Sequence, residues 1–343
     1  MVTLGFGLAV LLGVIGVGIT QAGAKPRGGG GTAPATTFSG RAVVVDATVA
    51  GMNILVSDTG QLPASGGALE NSLLEFDQAG ISGRVAHAAT IGMGDRSRSE
   101  ASVADTTIAA AGHTVTASFL SSRAIATCGA TGATASGNSE LANLVIDGQA
   151  ITVTGQPNQE VTLPLGAGTV IINEQTTARK RNAAGITVNA LHVILLNPLD
   201  GSTLADIIVA SSHADVTCGN TLCSGGDFIT GGGWITTPDR GTFGVAGGIK
   251  NGSFWGHLTY IDHGTGMKVK GTGVTGYSGT GTSRQITGTA EVNGVPGSTY
   301  IVNVTDNGEP GRADMFMIQL SPNGYTAAGT LTGGNIQLHQ PCK

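Results

Sequence analysis

Residues 113–128 read "HTVTASFLSSRAIATC", and whether this run is helix or strand decides the fold. Its side chains alternate with a period of two, the spacing that places every second residue on one face of a sheet. A second run, "LADIIVASSHADVTC" at residues 204–218, has the same character and the same ending. In both, a serine pair is followed by an alternating stretch and then Thr-Cys-Gly: "SSRAIATCG" at 121–129 and "SSHADVTCG" at 211–219. The shared ending predicts that Cys128 and Cys218 face each other from strand ends.

Working outward, "RAVVVDATVA" (41–50), "LANLVIDGQAITVTG" (141–155), "GTVIINEQ" (168–175) and "ITVNALHVILL" (186–196) also read as strands. They are separated by turn signals such as Asp147-Gly148 and Asn197-Pro198. "GALENSLLEFDQAG" (67–80) is the one stretch where a short helix is expected. Past "GNTLCSG" (219–225) the composition changes: ten of the fourteen aromatic residues lie beyond it. "GSFWGHLTYID" (252–262), "GMKVKGTGV" (266–274), "SRQITGTAEV" (283–292), "STYIVNVTD" (298–306) and "YTAAGTLTG" (325–333) recur at strand-plus-turn spacing. "ITGGGWI" (229–235) and "LTGGNIQLH" (331–339) each make a Thr-Gly-Gly step into a strand, and are expected to pair antiparallel. Cys223 and Cys342 would then meet at one end of the sheet. Their bridge closes a loop of about 120 residues, worth roughly 4–5 kcal/mol of chain entropy.

A chain of 343 residues has length for two cores. Charged residues are 11% and aromatics 4%, while glycine fills 57 positions, so the core is built from Val, Ile, Leu, Ala and Thr on short strands. The fold class expected is all-β: two β-sandwich or barrel-like domains in tandem after an N-terminal signal segment. The first 24 residues are uncharged and end in Ala22-Gly23-Ala24, which reads as a signal peptide with a small-residue cleavage site. Residues 25–37 form a Gly/Pro/Thr linker, 38–218 the first domain and 224–343 the second. If the signal is cleaved, the mature chain is expected to be extracellular or at the cell surface without a membrane span; left uncleaved, the segment is long enough to anchor the chain at its N-terminus, and export favours disulfides.

Residues 38–218, with "NSELANLVIDG", "INEQ" and "VNALHVILL" before the Asp-Val-Thr-Cys strand, resemble the choice-of-anchor P family of bacterial exported proteins. The stretch from "GGDFITGGGWITTPDRGTFGVAGGIKNGSFWGHLTYID" through "DNGEPGRADMFMIQL" to "LTGGNIQLH" is similar to the post-COAP-1 domain that commonly follows it. The resemblance implies a secreted or surface β protein and brings no catalytic residue with it. That family is named for differing C-terminal anchoring signals, whereas "NIQLHQPCK" (335–343) shows no sorting motif, apolar tail or basic end. Free secretion is the expectation.

The densest chemistry lies in "DNGEPGRADMF" (306–316). Asp306, Asn307, Glu309 and Asp314 are candidate calcium ligands, but the EF-hand spacing is not met. Asn307-Gly308 and Pro310-Gly311 are strong turn formers, so a polar turn is the preferred reading, with Arg312 paired to a carboxylate. No other cofactor is expected. His257, His339 and the Asp262-His263 pair suggest a metal or acid–base site, against the plainer reading of hydrogen-bonded strand residues. His192 and His213 are read as sheet residues. Trp234, Phe254, Trp255 and Tyr260, with His257, would give a glycan- or peptide-binding face if they point outward, and a core if they do not. Glu70, Glu75 and Asp77 are the carboxylates that a glycosidase pair would draw on.

"GTGVTG" (271–276) matches a dinucleotide fingerprint without the helix that motif needs. Arg179, Lys180 and Arg181 are read as a loop tip rather than a nucleic-acid footprint. The partners expected are an extracellular polymer, a glycan or a surface protein. The function expected is structural or binding, adhesin- or matrix-like, and the alternative is a secreted metal- or carboxylate-dependent hydrolase.

Overall fold

The structure, a computed structural model, describes residues 34–221, 225–236 and 238–341. The signal segment, most of the linker, Cys223 and Cys342 lie outside the described residues, and with them the expected second bridge. Period-two alternation carries through nearly everything else. The strands are β1 (Thr37–Val49), β2 (Met52–Asp58), β3 (Gly67–Gln78), β4 (Ile81–Met93), β5 (Arg96–Ala110), β6 (His113–Gly129), β7 (Gly132–Ala142), β8 (Val145–Ile146) and β9 (Gln149–Ala150). They continue as β10 (Gln159–Thr162), β11 (Gly168–Lys180), β12 (Ala183–Leu196) and β13 (Thr203–Thr217). After residue 225 come β14 (Phe228–Ile235), β15 (Gly241–Lys250), β16 (Ser253–Asp262), β17 (Lys268–Thr280), β18 (Ser283–Val292), β19 (Val295–Thr305), β20 (Met315–Ser321), β21 (Thr326–Thr330) and β22 (Gly333–His339). The protein is all-β.

These strands make three antiparallel sheets. The first has the order β10-β11-β12-β13-β1-β2, and the second β3-β4-β5-β6-β8-β9 with β7 also on β6. Their facing sides enclose an aliphatic core, among it Val44, Ile54, Ile81, Val103, Leu120, Val170, Leu191 and Val209. Each such side chain contributes about 1.5–3 kcal/mol by leaving water. The repeated Ser-Ser…Thr-Cys ending has a plain structural meaning. Ser122 Oγ lies 2.7 Å from Ser212 Oγ across the two sheets, and six residues on, in both strands, Cys128 is bonded to Cys218 with Cα atoms 5.6 Å apart. Between these rungs Ala124, Ala126, Ala214 and Val216 are buried.

The expected helix at 67–80 is instead β3, paired from Gly67↔Gly92 to Gln78↔Ile81 with β4. Leu69, Leu73 and Phe76 fall at helical spacing, but a two-residue turn overrides that signal. Ala79 and Gly80 both take positive φ, 48° and 82°, the mirror-image turn whose twist suits a hairpin. "LANLVIDGQAITVTG" contracts to the two-residue strands β8 and β9 around Asp147-Gly148. The Asp147 carboxylate accepts from Thr114 N at 2.8 Å and ties that turn to β6.

β13 ends at Thr217 and β14 opens a separate sheet, with the order β21-β20-β19-β18-β17-β16-β15-β14-β22. As expected, β14 and β22 pair antiparallel, from Phe228↔His339 to Trp234↔Gly333. β21 and β22 are opposite edges of the sheet, yet only Leu331 and Thr332 connect them. Three Cα steps span at most about 11 Å, so the sheet has to curl on itself like a barrel. Its inner face is aromatic: Phe243 stacks on Phe316 with centroids 3.9 Å apart, and Tyr260 OH is 2.7 Å from Tyr325 OH.

The outer faces of the second and third sheets pack on each other, and glycine sets how closely. A Cβ on Gly232 would run into Ser102 Oγ, and one on Gly244 would sit 3.1 Å from His87 Cβ. Gly232→Ala is therefore expected to cost about 1–3 kcal/mol by overpacking. Adding Ser102→Ala should restore most of it, as read from urea denaturation midpoints. If the double variant is no more stable than Gly232→Ala alone, this contact does not set the spacing.

Candidate functional site

Where those outer faces meet, a row of ionisable side chains crosses from one sheet to the other. The alternation of β3, β4 and β5 turns Glu70, His87 and Glu100 outward from the sandwich. β14, β16 and β22 bring Thr230, His257 and His339 to meet them. His87 Nδ1 is 3.1 Å from His257 Nε2, and His87 Nε2 is 3.4 Å from Glu100 Oε1. At the open end Glu70 Oε2 is paired to His257 Nδ1. At the closed end Thr230 Oγ1 donates to Glu100 Oε1 at 2.9 Å and lies 2.8 Å from His339 Nε2. One hydroxyl proton cannot serve both neighbours, so His339 is the Nε2–H tautomer and donates to Thr230.

His87 is fully buried and His339 is 5% exposed. Burial pushes the Glu100 carboxyl up, but its His87 bond and the neighbouring charges win and hold it below the usual carboxylate range. Burial likewise opposes, and the His257 pairing outweighs, at Glu70, which is also lowered. His257 is pushed down by burial in spite of Glu70. His339 is pushed down to about 3, by burial first and then by the Arg98 charge. The row opens into a cleft of about 480 Å³ lined by Glu70, Asn71, Glu75, His257, Thr259 and Lys270 among others. The cleft lies where β16 and β17 diverge, since they pair only from Thr259↔Lys270 to Ile261↔Lys268.

His339 sets an acid limit. Its folded pKa lies below the unfolded value, so its stabilisation is complete above about pH 6.5 and is lost as the pH falls toward 3. Between pH 6.5 and 4.5 the loss should be about 2–3 kcal/mol. In urea titrations at pH 7, 5.5 and 4.5, His339→Gln should fall less steeply than wild type by that amount. Parallel curves would assign the acid loss elsewhere.

The 306–314 cluster lies on a different side of the same junction, and its oxygens are occupied by backbone. β22 is an edge strand whose outward N–H groups recur at every second residue. Gly334 N donates to Glu140 Oε2 at 3.0 Å, Ile336 N to Asp314 Oδ2 at 2.8 Å and Leu338 N to Asp306 Oδ2 at 2.8 Å. Asp314 also accepts from Asn307 N at 2.8 Å, Asp306 from Gly308 N at 2.9 Å, and Asn307 Nδ2 donates to Ala313 O. Glu309 pairs with Arg123 of β6, and Arg312 with Glu140 of β7 at 3.0 Å. Three carboxylates thus cap an edge that would otherwise recruit a foreign strand, and the same loop ties the third sheet to the second. Among the described residues no group of three or more His, Cys, Asp or Glu side chains is placed to share a metal ion.

The five aromatic and histidine candidates do not come together on one open face, and Phe254 alone among them is exposed, at 47%. Trp234 packs on Phe119 of β6, centroids 4.5 Å apart, and Trp255 on Phe228 at 5.4 Å. Tyr260 lies inside the curled sheet, 1% exposed, and His257 sits in the polar row. His263 contacts Thr242 Oγ1 at 2.9 Å. His192 lies between Glu174 and Asp206, 3.0 Å from each, and His213 meets Thr187 at 2.9 Å. These three are hydrogen-bonded strand or turn residues. Glu75 joins Lys268 and, at 3.3 Å, Arg84, while Asp77 is exposed. "GTGVTG" lies within β17, where the register shifts twice, and Arg179 and Lys180 end β11 beside its turn. His87 and Glu100 escaped the sequence reading. Their signal was a histidine in the alanine run "VAHAAT" (85–90) and a glutamate just ahead of the buried stretch 101–104 in "RSRSEASVAD" (96–105).

No family model matches this chain, and no curated protein matches it.

Proposed function

We propose that the protein is a secreted or cell-surface structural and binding module, adhesin- or matrix-like, acting at or beyond a bacterial envelope. The observation that carries this reading is how the reactive side chains are used. Asp306, Asp314, Glu140 and Glu100 hold sheets together through backbone and side-chain bonds, which builds a stiff scaffold rather than a reactive centre. The resemblance of residues 38–218 to choice-of-anchor P proteins and of the second half to post-COAP-1 domains supports it. So does the Cys128–Cys218 bridge, a bond that persists in oxidising compartments. No helix among the described residues is long and apolar enough to cross a membrane.

Residues 25–343, purified with the disulfide intact and screened on glycan and matrix-protein arrays, should bind one polymer class saturably and release no product. Silence on every surface would remove the binding half of the proposal. The loop 306–314 acts in this reading as a strand cap rather than a calcium site. Its melting temperature is expected to be the same in millimolar calcium as in chelator, and a rise of several degrees with calcium would reinstate the metal.

A hydrolase is the second reading, favoured by the Glu70–His257 pair at the mouth of the cleft. It requires turnover of a polymer that disappears in His257→Gln while the fold persists.

A further inference from the structure

The row between the second and third sheets has three gaps to fill with protons: Glu70–His257, His257–His87 and His87–Glu100. Two neutral imidazoles bring two protons, and one more completes the set. His87 then donates from both nitrogens, to His257 and to Glu100, while His257 Nδ1 carries its proton against the Glu70 carboxylate as an ion-pair contact. A fourth proton on the rings makes both of them imidazolium. Two N–H donors would then face each other across 3.1 Å, with no lone pair between them and like charges in contact. That conflict follows from counting donors and acceptors: the carboxylates Glu70 and Glu100 offset part of the added charge but supply no acceptor between the two facing nitrogens. Facing these rings are Glu70 from β3 and Glu100 from β5, with His339 of β22 and Arg98 of β5 beyond Glu100, and Lys270 of β17 and Glu75 of β3 around the cleft. Lys270, which lines the cleft with His257, disfavours a further positive charge there.

We propose that this row is an acid-operated latch: with three shared protons it holds the outer faces of the second and third sheets together, and double protonation of His87 and His257 parts them beside the cleft. The reporter is already in place. Both tryptophans of the chain lie at this junction, Trp255 beside Ile91 and Phe228 and Trp234 on Phe119.

The test is acrylamide quenching of tryptophan fluorescence in the disulfide-intact protein from pH 7.5 to 4.5. The quenching constant should rise about two-fold and reversibly, while far-UV circular dichroism stays constant because each sheet keeps its own pairing. His257→Gln, whose amide can accept from His87 and donate to Glu70 without titrating, should stay at the low value throughout. His192→Gln, a histidine of β12 held between Glu174 and Asp206 away from this junction, should show the wild-type rise. A flat wild-type profile, or the same rise in His257→Gln, overturns the latch. If His257→Gln does not fold, imidazole nitrogen NMR of the wild type decides. The His87 and His257 signals must reach the doubly protonated form over the same pH interval as the quenching change, and titration without that change also overturns it.

Discussion

Asp314→Ala is expected to lower the unfolding free energy by about 3–5 kcal/mol. Asp314 is fully buried and accepts two backbone N–H groups, from Asn307 and Ile336. Truncation leaves both donors without a partner and out of water, at about 1–3 kcal/mol each. The loss should also depend on pH, with a sign opposite to that of His339. Burial first, then the nearby Asp306 and Glu309, pushes the Asp314 carboxyl up to about 6, above its unfolded value. Its stabilising contribution is therefore complete below the ordinary aspartate range and is lost as the pH rises through 6. Asp314→Ala should cost about 1 kcal/mol more at pH 5 than at pH 8. Urea denaturation at the two pH values checks both the size and the sign. A loss below 1 kcal/mol at pH 5 would show that the β22 edge finds other partners.

The second large effect concerns the bridge across the sandwich. Cys128 and Cys218 are 90 residues apart in sequence, and closing a loop of that length removes about 4–5 kcal/mol of entropy from the unfolded chain. Replacing both cysteines by alanine should lower stability by about that amount. The native arrangement would change little, because Ala124, Ala126, Ala214 and Val216 still pack between the strands. Two outcomes separate this account from a local packing role. In the chain-entropy account unfolding is scarcely faster in the variant than in wild type, and refolding carries most of the loss. A variant that unfolds much faster at equal refolding rate would place the stabilisation in native contacts instead.

What was legible in the sequence follows from how far its signals reach. Period-two alternation is a local property, so β1, β6, β11, β12 and β13 could be read directly. Repeats of a whole pattern also survive distance: the two Ser-Ser…Thr-Cys endings located the Cys128–Cys218 pair, and the two Thr-Gly-Gly steps located the β14–β22 pairing. The helix expected at 67–80 failed because Leu69, Leu73 and Phe76 happen to fall at helical spacing, while pairing with β4 and the Ala79-Gly80 turn determine the conformation. The polar row was illegible for another reason. His87 and His257 are 170 positions apart, and each becomes notable only when the other is known to lie opposite it. In the same way the carboxylates of 306–314 look like ligands in isolation. Their use is visible only once the free edge of β22 is in place.

That edge has a consequence for the order in which the molecule can be completed. β14 is the first strand of the third sheet in chain order, yet one of its two neighbours, β22, is the last of the described strands. Until residues 333–339 emerge from the ribosome, β14 keeps one bare flank, and Glu140, Asp306 and Asp314 have no amides of β22 to accept from. Cutting the chain ahead of Gly333 should leave that flank of β14 open and make the third sheet more sensitive to protease.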